Sequence, residues 1–413
     1  MLFDATINRR VSPRAISSDL EVQAVSSPLP PYLAFKEIWR NRGRFLLVSL
    51  VIALITTLVL FIDGLAQGLG AGNIEYLQKL NGNLIVFQEN VDLSTSASQI
   101  GRSELNAIKR VDGVKDAALV GFSLTSLVFD NGREPLDISL IGVEPGRPGE
   151  PPAFAGRSLR GSRSNEAIID RNVALRTGLS IGDRITVKSI QGTEEEYYTL
   201  QVVGISDGRQ YFIRPSIFVP YLTWDKIKPQ ALVDNNDRSE LILNIAAVQL
   251  DQPDNLDVMA ARLQSQVGNV EAVDLKTAYE ATPGYSAQQS TLNTIRIFTL
   301  LIGVLVIGGF FQIQTLQKVG QIGMLKAIGA STRTIALAFV LQIIYITLLG
   351  VVIGSVGTLA LSLSFPVTVP IRFTAETVSV AVLSLMVIGP LGGLVSLLYL
   401  LRIEPLTALG LSS

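Results

Sequence analysis

Apolar residues in this 413-residue chain gather into four long runs, one near the N-terminus and three in the last third, with roughly two hundred more polar residues between them. The first run, Phe45 to Ile62, reads FLLVSLVIALITTLVLFI and stops at Asp63. A helix rises about 1.5 Å per residue, so a run of this length spans the hydrocarbon of a bilayer. The others extend from Ile297 to Leu316, Ile335 to Phe365 and Val378 to Leu401. The third exceeds one crossing, and its last turns, Leu361 to Phe365, are expected to emerge before Pro366 and Pro370 break the helix. The fold class that follows is a membrane protein with four transmembrane helices in a 1+3 arrangement and a large α+β domain between helices 1 and 2.

The expected divisions are a disordered tail (1–31), an interfacial helix with the first span (32–64), the α+β domain (65–290) and the second span (291–317). A loop (318–334), the third span (335–365), a short outer loop (366–377), the fourth span (378–401) and a tail (402–413) complete the chain. Residues 1–31 mix Ser, Pro and scattered charge without periodicity, too little apolar content to fold. From Tyr32, Leu33, Phe35, Ile38 and Trp39 alternate with Lys36, Arg40 and Arg42 at helical spacing, which predicts a helix lying at the membrane surface.

Basic residues orient the spans, because Lys and Arg beside a span are retained on the cytoplasmic side. Lys36, Arg40, Arg42 and Arg44 precede the first span, Lys318, Lys326 and Arg333 lie between the second and third, and Arg402 follows the fourth. Both termini are therefore expected in the cytoplasm of a multi-pass cell-membrane protein, with the large domain outside. Charge agrees: residues 65–290 hold 21 Lys and Arg against 28 Asp and Glu, while the remainder holds 13 against 7. The chain has no cysteine and no histidine, which removes thiolate chemistry, imidazole acid-base catalysis and histidine metal sites. An enzyme is disfavoured, and no catalytic, cofactor-binding or metal-binding residue is expected.

After the first span, Leu69, Ile74, Leu77 and Leu80 continue a helical period towards Gly82, predicting a stalk. Strand, helix and strand signals then follow at Asn83–Gln88, Ser103–Val111 and Val114–Gly121, and again at Leu241–Leu250, Leu256–Val267 and Val270–Leu275. Two β-α-β halves suggest a split α+β module. Between them, about Gly156 to Glu240 is richer in strand signals, at Glu166–Ile169, Asp183–Ile190, Tyr197–Ile205 and Ile217–Pro220, and is expected as a small β-subdomain. Arg157, Arg160 and Arg163 are read as a solvated loop, and Glu194, Glu195 and Glu196 as a turn surface. Gly350-x-x-x-Gly354 in the third span is expected to let helices of the same chain approach closely. Only Arg296 and Glu376 bring charge near the outer membrane boundary, which disfavours an ion path.

The sharpest local signal lies between the second and third spans. Gln321 to Ser331 reads QIGMLKAIGAS. A short helix fits, with Ile322, Met324 and Leu325 apolar, Lys318 and Lys326 basic, Gly329 as the left-handed stop and Ser331 as the cap of the next helix. A connector needs no such pattern, so a docking element for a cytosolic partner follows.

This segment resembles the EIGxLRAIGAS motif of the MacB/FtsX/LolC-LolE (type VII) ABC-transporter permeases, which include DevC-like members. Gln321 stands in place of the usual Glu. The resemblance extends over nearly everything after Pro31. Ala34 to Leu46 is similar to the family's AxxNLxRNKxRxxL, with Glu37 where Asn is common, and Glu404 to Leu409 to its DPxxALR, departing at Glu404 and Gly410. Ala167 to Val187, with Val202 to Ile205, resembles a MacB-like periplasmic core domain.

The resemblance implies a non-catalytic permease whose coupling helix meets a separate cytosolic ATPase, and whose outer domain moves on ATP hydrolysis, a process called mechanotransmission. No Gly-x-x-x-x-Gly-Lys-[Ser/Thr] loop occurs, so ATP is expected in the partner subunit and no cofactor in this chain. Gln321, Ile322, Met324, Leu325, Lys326 and Ile328 are the implied ATPase contacts, with Lys36 and Arg40 supporting them. A second permease copy or paralogue, membrane lipid and an extracytoplasmic accessory such as a membrane-fusion protein are the other implied partners; nucleic acid is not. Export or extraction of a lipid, lipoprotein, peptide or drug-like substrate is the function so implied, the alternative being an FtsX-like scaffold that regulates an outer partner such as a cell-wall hydrolase.

Overall fold

A computed structural model describes residues 29–401 except 131, 231–240, 367–368 and 370. Most of the expected N-terminal tail, the Arg402 flank and the Glu404–Leu409 motif lie outside the described residues. At the basic end, α1 (Leu29–Arg40) turns at Asn41 into α2 (Arg42–Gln78). At about 1.5 Å per residue, the 37 residues of α2 rise some 55 Å, well beyond the hydrocarbon, so span and stalk are one helix. The stalk ends at Gln78, one turn before Gly82.

The head that follows contains β1 (Leu84–Gln88), α3 (Arg102–Ile108), β2 (Val114–Val128), β3 (Leu136–Val143) and β4 (Ala153–Gly156). Next come β5 (Glu166–Asp170), α4 (Arg171–Thr177), β6 (Arg184–Gln191), β7 (Glu194–Ser206), β8 (Ser216–Pro220) and α5 (Tyr221–Ile227). It closes with β9 (Ile245–Leu250), α6 (Leu256–Val267), β10 (Val270–Asp274) and α7 (Leu275–Glu280). The chain then returns through α8 (Tyr285–Gln317), α9 (Val319–Ala327), α10 (Thr332–Ser364) and α11 (Ala375–Leu401). Among the described residues, α2, α8, α10 and α11 are long and apolar enough to cross a membrane.

The two β-α-β halves interleave as β10-β1-β9-β2, all antiparallel, the arrangement of a split β-α-β sheet with its helices on one face. Alternation decides the layers. Leu84 and Val86 of β1 face a core that includes Leu105, Ile108 and Leu263 of α3 and α6. Ile85 and Phe87 face the opposite core, which includes Tyr76 and Leu77 at the top of the stalk. Both faces being covered explains why LIVF reads as an unbroken apolar run rather than an alternating one. Trp224 lies so close to β2 and β3 that a Cβ at Gly121 or Gly142 would fall 2.7 or 2.5 Å from its side chain.

The stretch expected as a separate β-subdomain is part of the same sheet: β8 runs parallel to β3, and β6 pairs with β2 as well as β7. Strands β3 and β4 were not anticipated, and β2 continues past Gly121 to Val128. The Glu194–Glu196 triplet is not a turn surface. Gly192, at φ 64, lets Gly192-Thr193 close a two-residue hairpin, so β7 has already begun at Glu194 and Glu195 pairs with Lys188 at 3.0 Å. Arg157 in the expected solvated loop is bound to Glu166 by two hydrogen bonds of 3.0 and 2.5 Å.

Asp170 ends β5 and caps α4, accepting from the backbone N–H of Asn172. Burial pushes its carboxyl up to about 6, against the pull of its bonds from Asn172 and with the Glu75 charge adding to the rise. An ordinary Asp titrates near 3.9, so the folded head holds this proton more tightly than the unfolded chain does. Its contribution to stability is full below about pH 4 and is lost as pH rises through about 6, on the order of 3 kcal/mol. In a Trp39→Phe background, denaturant unfolding of the full chain followed at Trp224 should show this decline between pH 4 and 7. Asp170→Asn should flatten it; an unchanged slope would assign it to another group.

Candidate functional site

Helix α8 ends at Gln317, Lys318 makes the turn, and α9 runs along the basic end of the bundle. Its stop is a Schellman motif: the N–H of Ala330 donates to Leu325 O at 3.0 Å and that of Gly329 to Lys326 O at 3.1 Å, with Gly329 at φ 96. Ser331 then caps α10, its hydroxyl accepting from the N–H of Thr334 at 3.1 Å. Loop and caps hold α9 rigidly between two spans.

One side of α9 is committed to the bundle. Ile322 is buried in the core that includes Phe45, Phe311, Ile335 and Phe339, and Gly323 is buried with it. Ile322 is thus mostly buried, and it also lines the cavity that Gln321 and Leu325 line. Met324 is 58% exposed, Leu325 37% and Ile328 75%, and Gln321 is also exposed. Lys326 is half-buried. The expected contacts thus divide into an outward apolar ridge and an inward pin.

Helix α1 braces this arrangement. Glu37 pairs with Lys318, whose ammonium also lies 5.4 Å from the centre of the Phe45 ring, and Arg44 donates to Gln317 Oε1 at 2.7 Å. Phe35 and Trp39 stack with centroids 6.1 Å apart and are 59% and 67% exposed, an outward apolar face of α1. Lys36, Arg40, Gln321 and Leu325 all line one cavity of about 490 Å³, together with Glu37 and Lys318. Its inner wall includes Gln342, whose buried Nε2 has no hydrogen-bond partner. Met324, Lys326 and Ile328 lie outside the cavity lining.

Glu37 and Gln342 were not among the expected site residues, and Lys318 was expected only as part of the basic side of the short helix. Glu37 carried a signal, since it departs from the Asn of the motif it resembles, and its acid is what meets Lys318. Gln342 carried none beyond being an amide in an apolar run. The site offers a basic rim, an apolar ridge and a recess. Among the described residues no group of three or more His, Cys, Asp and Glu side chains is placed to hold a metal ion.

Residues 45–266 match the MacB-like periplasmic core domain family, and residues 293–405 match the FtsX-like permease C-terminal family. A protein of Staphylococcus haemolyticus named as a candidate hemin transport system permease, HrtB, is 27% identical over 378 residues, covering 92% of this chain and 99% of that one. An uncharacterized ABC transporter permease of Mycobacterium bovis is 23% identical over 390 residues, again covering 92% and 99%. Of solved structures, the extracellular domain of the noncanonic ABC-type transporter YknZ aligns with 46% of this chain and 100% of its own at 17% identity and a TM-score of 0.32. The periplasmic region of MacB from Actinobacillus actinomycetemcomitans aligns with 49% of this chain and 92% of its own at 13% identity and a TM-score of 0.35.

Proposed function

The chain belongs to the permease family that joins a MacB-like periplasmic core domain to an FtsX-like C-terminal region, and from that premise we propose that it turns ATP hydrolysis in a separate subunit into movement of its head. It is a multi-pass permease subunit of an ABC transporter, with an extracellular domain and a partner ATPase. In the proposed arrangement the basic end and both termini are cytoplasmic, no cofactor is held by this chain, and a second permease copy or paralogue completes the membrane assembly.

The observation that carries the reading is continuity. Helix α8 runs unbroken from Gln317, beside the exposed ridge of α9, to Tyr285 at the head, and α2 runs from Arg42 to Gln78 beside it. A push on α9 is thereby passed to rigid levers rather than to loops. Nothing in this route requires a catalytic residue or a charged path through the bilayer. The handled substrate is proposed as a lipid, lipoprotein, peptide or drug-like amphiphile, and the hemin named for the staphylococcal relatives is the first compound of the last kind to try.

Because the native chain has no cysteine, a label pair can be introduced without removing any. Asp112→Cys on the head and Leu359→Cys on the lipid-facing side of α10, both exposed, report head position in the complex with its ATPase. Double electron–electron resonance should give a distance distribution that shifts with ATP and is static with a hydrolysis-deficient ATPase locked in one state. A distribution indifferent to nucleotide would remove the mechanical reading and favour a static scaffold.

A further inference from the structure

Where the stalk enters the head, three parts of the chain meet. The segment between β7 and β8 is stitched to the backbone of α2: Tyr76 N–H donates to Gln210 O at 3.0 Å, Phe212 N–H to Asn73 O at 3.2 Å, and Ile213 N–H to Gly72 O at 2.9 Å. A Cβ on Gly72 would meet the movable Gln210 Oε1 at 3.0 Å and Ile213 Cα at an ordinary 3.7 Å. Phe212 and Ile213 take φ values of 51 and 58, a left-handed conformation that side chains of this size rarely adopt. The head is thus held to one turn of α2 by a segment kept in an unfavourable shape.

The third part is the connector at the head end of the bundle. Arg372 lies between α10 and α11, and its N–H donates to Gly64 O of α2 at 2.9 Å. Its guanidinium makes a forked contact to Glu75, Nη1 to Oε1 at 2.8 Å and Nη2 to Oε2 at 3.1 Å. Glu75 is buried, with 2% of its side chain exposed, and also accepts from Lys79 Nζ at 2.9 Å and Gln210 N–H at 3.3 Å. Lys79 in turn reaches Asp207 at 3.1 Å and Gly208 O at 2.7 Å. Arg209, also buried, holds Asp207 at 2.8 Å and donates to Lys79 O. Glu75 is therefore the node at which α2, the β7–β8 segment and the α10–α11 segment are tied together.

We infer that the Arg372–Glu75 fork is the transmission contact through which displacement of the α10–α11 pair reaches the stalk and the head. The inference deepens the mechanical reading above and rests on it. Two features make the fork suited to this role. A planar guanidinium gripping a carboxylate by two bonds resists rotation, which a single point charge does not. A cleft of about 430 Å³ beside it, between Asn172 and Arg176 of the head and Phe365 and Phe373 of the α10–α11 segment, leaves that segment room to swing. Arg372 is a positioning residue and touches no reacting atom.

The test uses the full chain with its ATPase in lipid nanodiscs, carrying the Asp112→Cys and Leu359→Cys labels. Arg372→Gln should leave complex recovery and ATP hydrolysis within about two-fold of native, while the nucleotide-dependent distance shift falls to less than a quarter. Arg372→Lys, which keeps the charge without the fork, should restore only part of the shift at unchanged hydrolysis, and it decides the matter if Arg372→Gln does not fold. A full native shift in the variant that folds overturns the inference, as does loss of hydrolysis in parallel with loss of shift. A native chain that shows no shift overturns the mechanical reading itself and this inference with it, so the two failures are distinguishable.

Discussion

Gly354→Leu should lower the melting temperature of the chain in detergent, whereas Gly309→Leu should melt as the native chain does. A Cβ at Gly354 would stand 2.5 Å from the carbonyl oxygen of Ala53 and 2.6 Å from Thr56 Cβ, and one at Gly350 would stand 2.6 Å from Ile52 Cβ and 2.9 Å from Ser49 O. These are backbone and β-carbon atoms, which cannot swing aside as the end of a long side chain can. Helices in lipid gain little from the hydrophobic effect on meeting and associate through close packing and interhelical hydrogen bonds. The α2–α10 contact, the most extensive between elements among the described residues, has both, since Thr57 Oγ1 donates to Gly354 O at 3.1 Å. Overpacking here costs about 3 kcal/mol or more. Gly309 is exposed and has nothing within 4 Å of its Cβ position, so a leucine there meets no atom of this chain at that point and improves helix propensity. Fluorescence-detected size exclusion after graded heating reads the difference, expected as a loss on the order of 5–10 °C for Gly354→Leu. Native melting of that variant would place the glycine stripe outside the helix contact.

The four spans and the basic connectors were legible because lipid imposes a length and a composition that few other contexts demand. The split β-α-β module was legible for a similar reason, since each half carries its own local periodicity. Pairing between distant strands carries no such mark. That β8 lies parallel to β3, drawing the expected insertion into one sheet, depends on a match between residues 139–143 and 216–220 that neither segment announces alone. In α9 the apolar residues were visible but not their division. Ile322, Met324 and Leu325 are similarly hydrophobic, and only the crowding of Ile322 by Phe45, Phe311 and Phe339 turns it inward while Met324 is left outward. Arg372 and Glu75 are 297 positions apart, and the left-handed backbone at Phe212 and Ile213 falls on residues that give no hint of it. Such features arise from tertiary closure and belong to no local pattern.

Met324→Asp with Leu325→Asp should remove binding of the partner ATPase while leaving the chain folded, and Ile322→Asp should do the reverse, destabilising the bundle before it affects docking. The contrast follows from where each side chain lies. Met324 on the nine-residue helix and Ile328 at its C-cap are exposed apolar groups at the aqueous end of a membrane protein, which has a cost unless a partner covers them. Covering a methionine contributes about 1.5–3 kcal/mol, and an aspartate in an apolar contact adds a desolvation penalty of similar size. Two such changes should weaken docking by about 4 kcal/mol or more, roughly a thousandfold in Kd. Ile322 belongs to the bundle core that includes Phe45, Phe311 and Phe339, so an aspartate there leaves an unpaired charge among apolar side chains. Co-purification with the ATPase, paired with thermal unfolding of the chain alone, separates the two effects. If the Met324/Leu325 variant binds as the native chain does, neither the ridge nor the recess that Leu325 also lines is the docking surface, and the coupling-helix assignment falls.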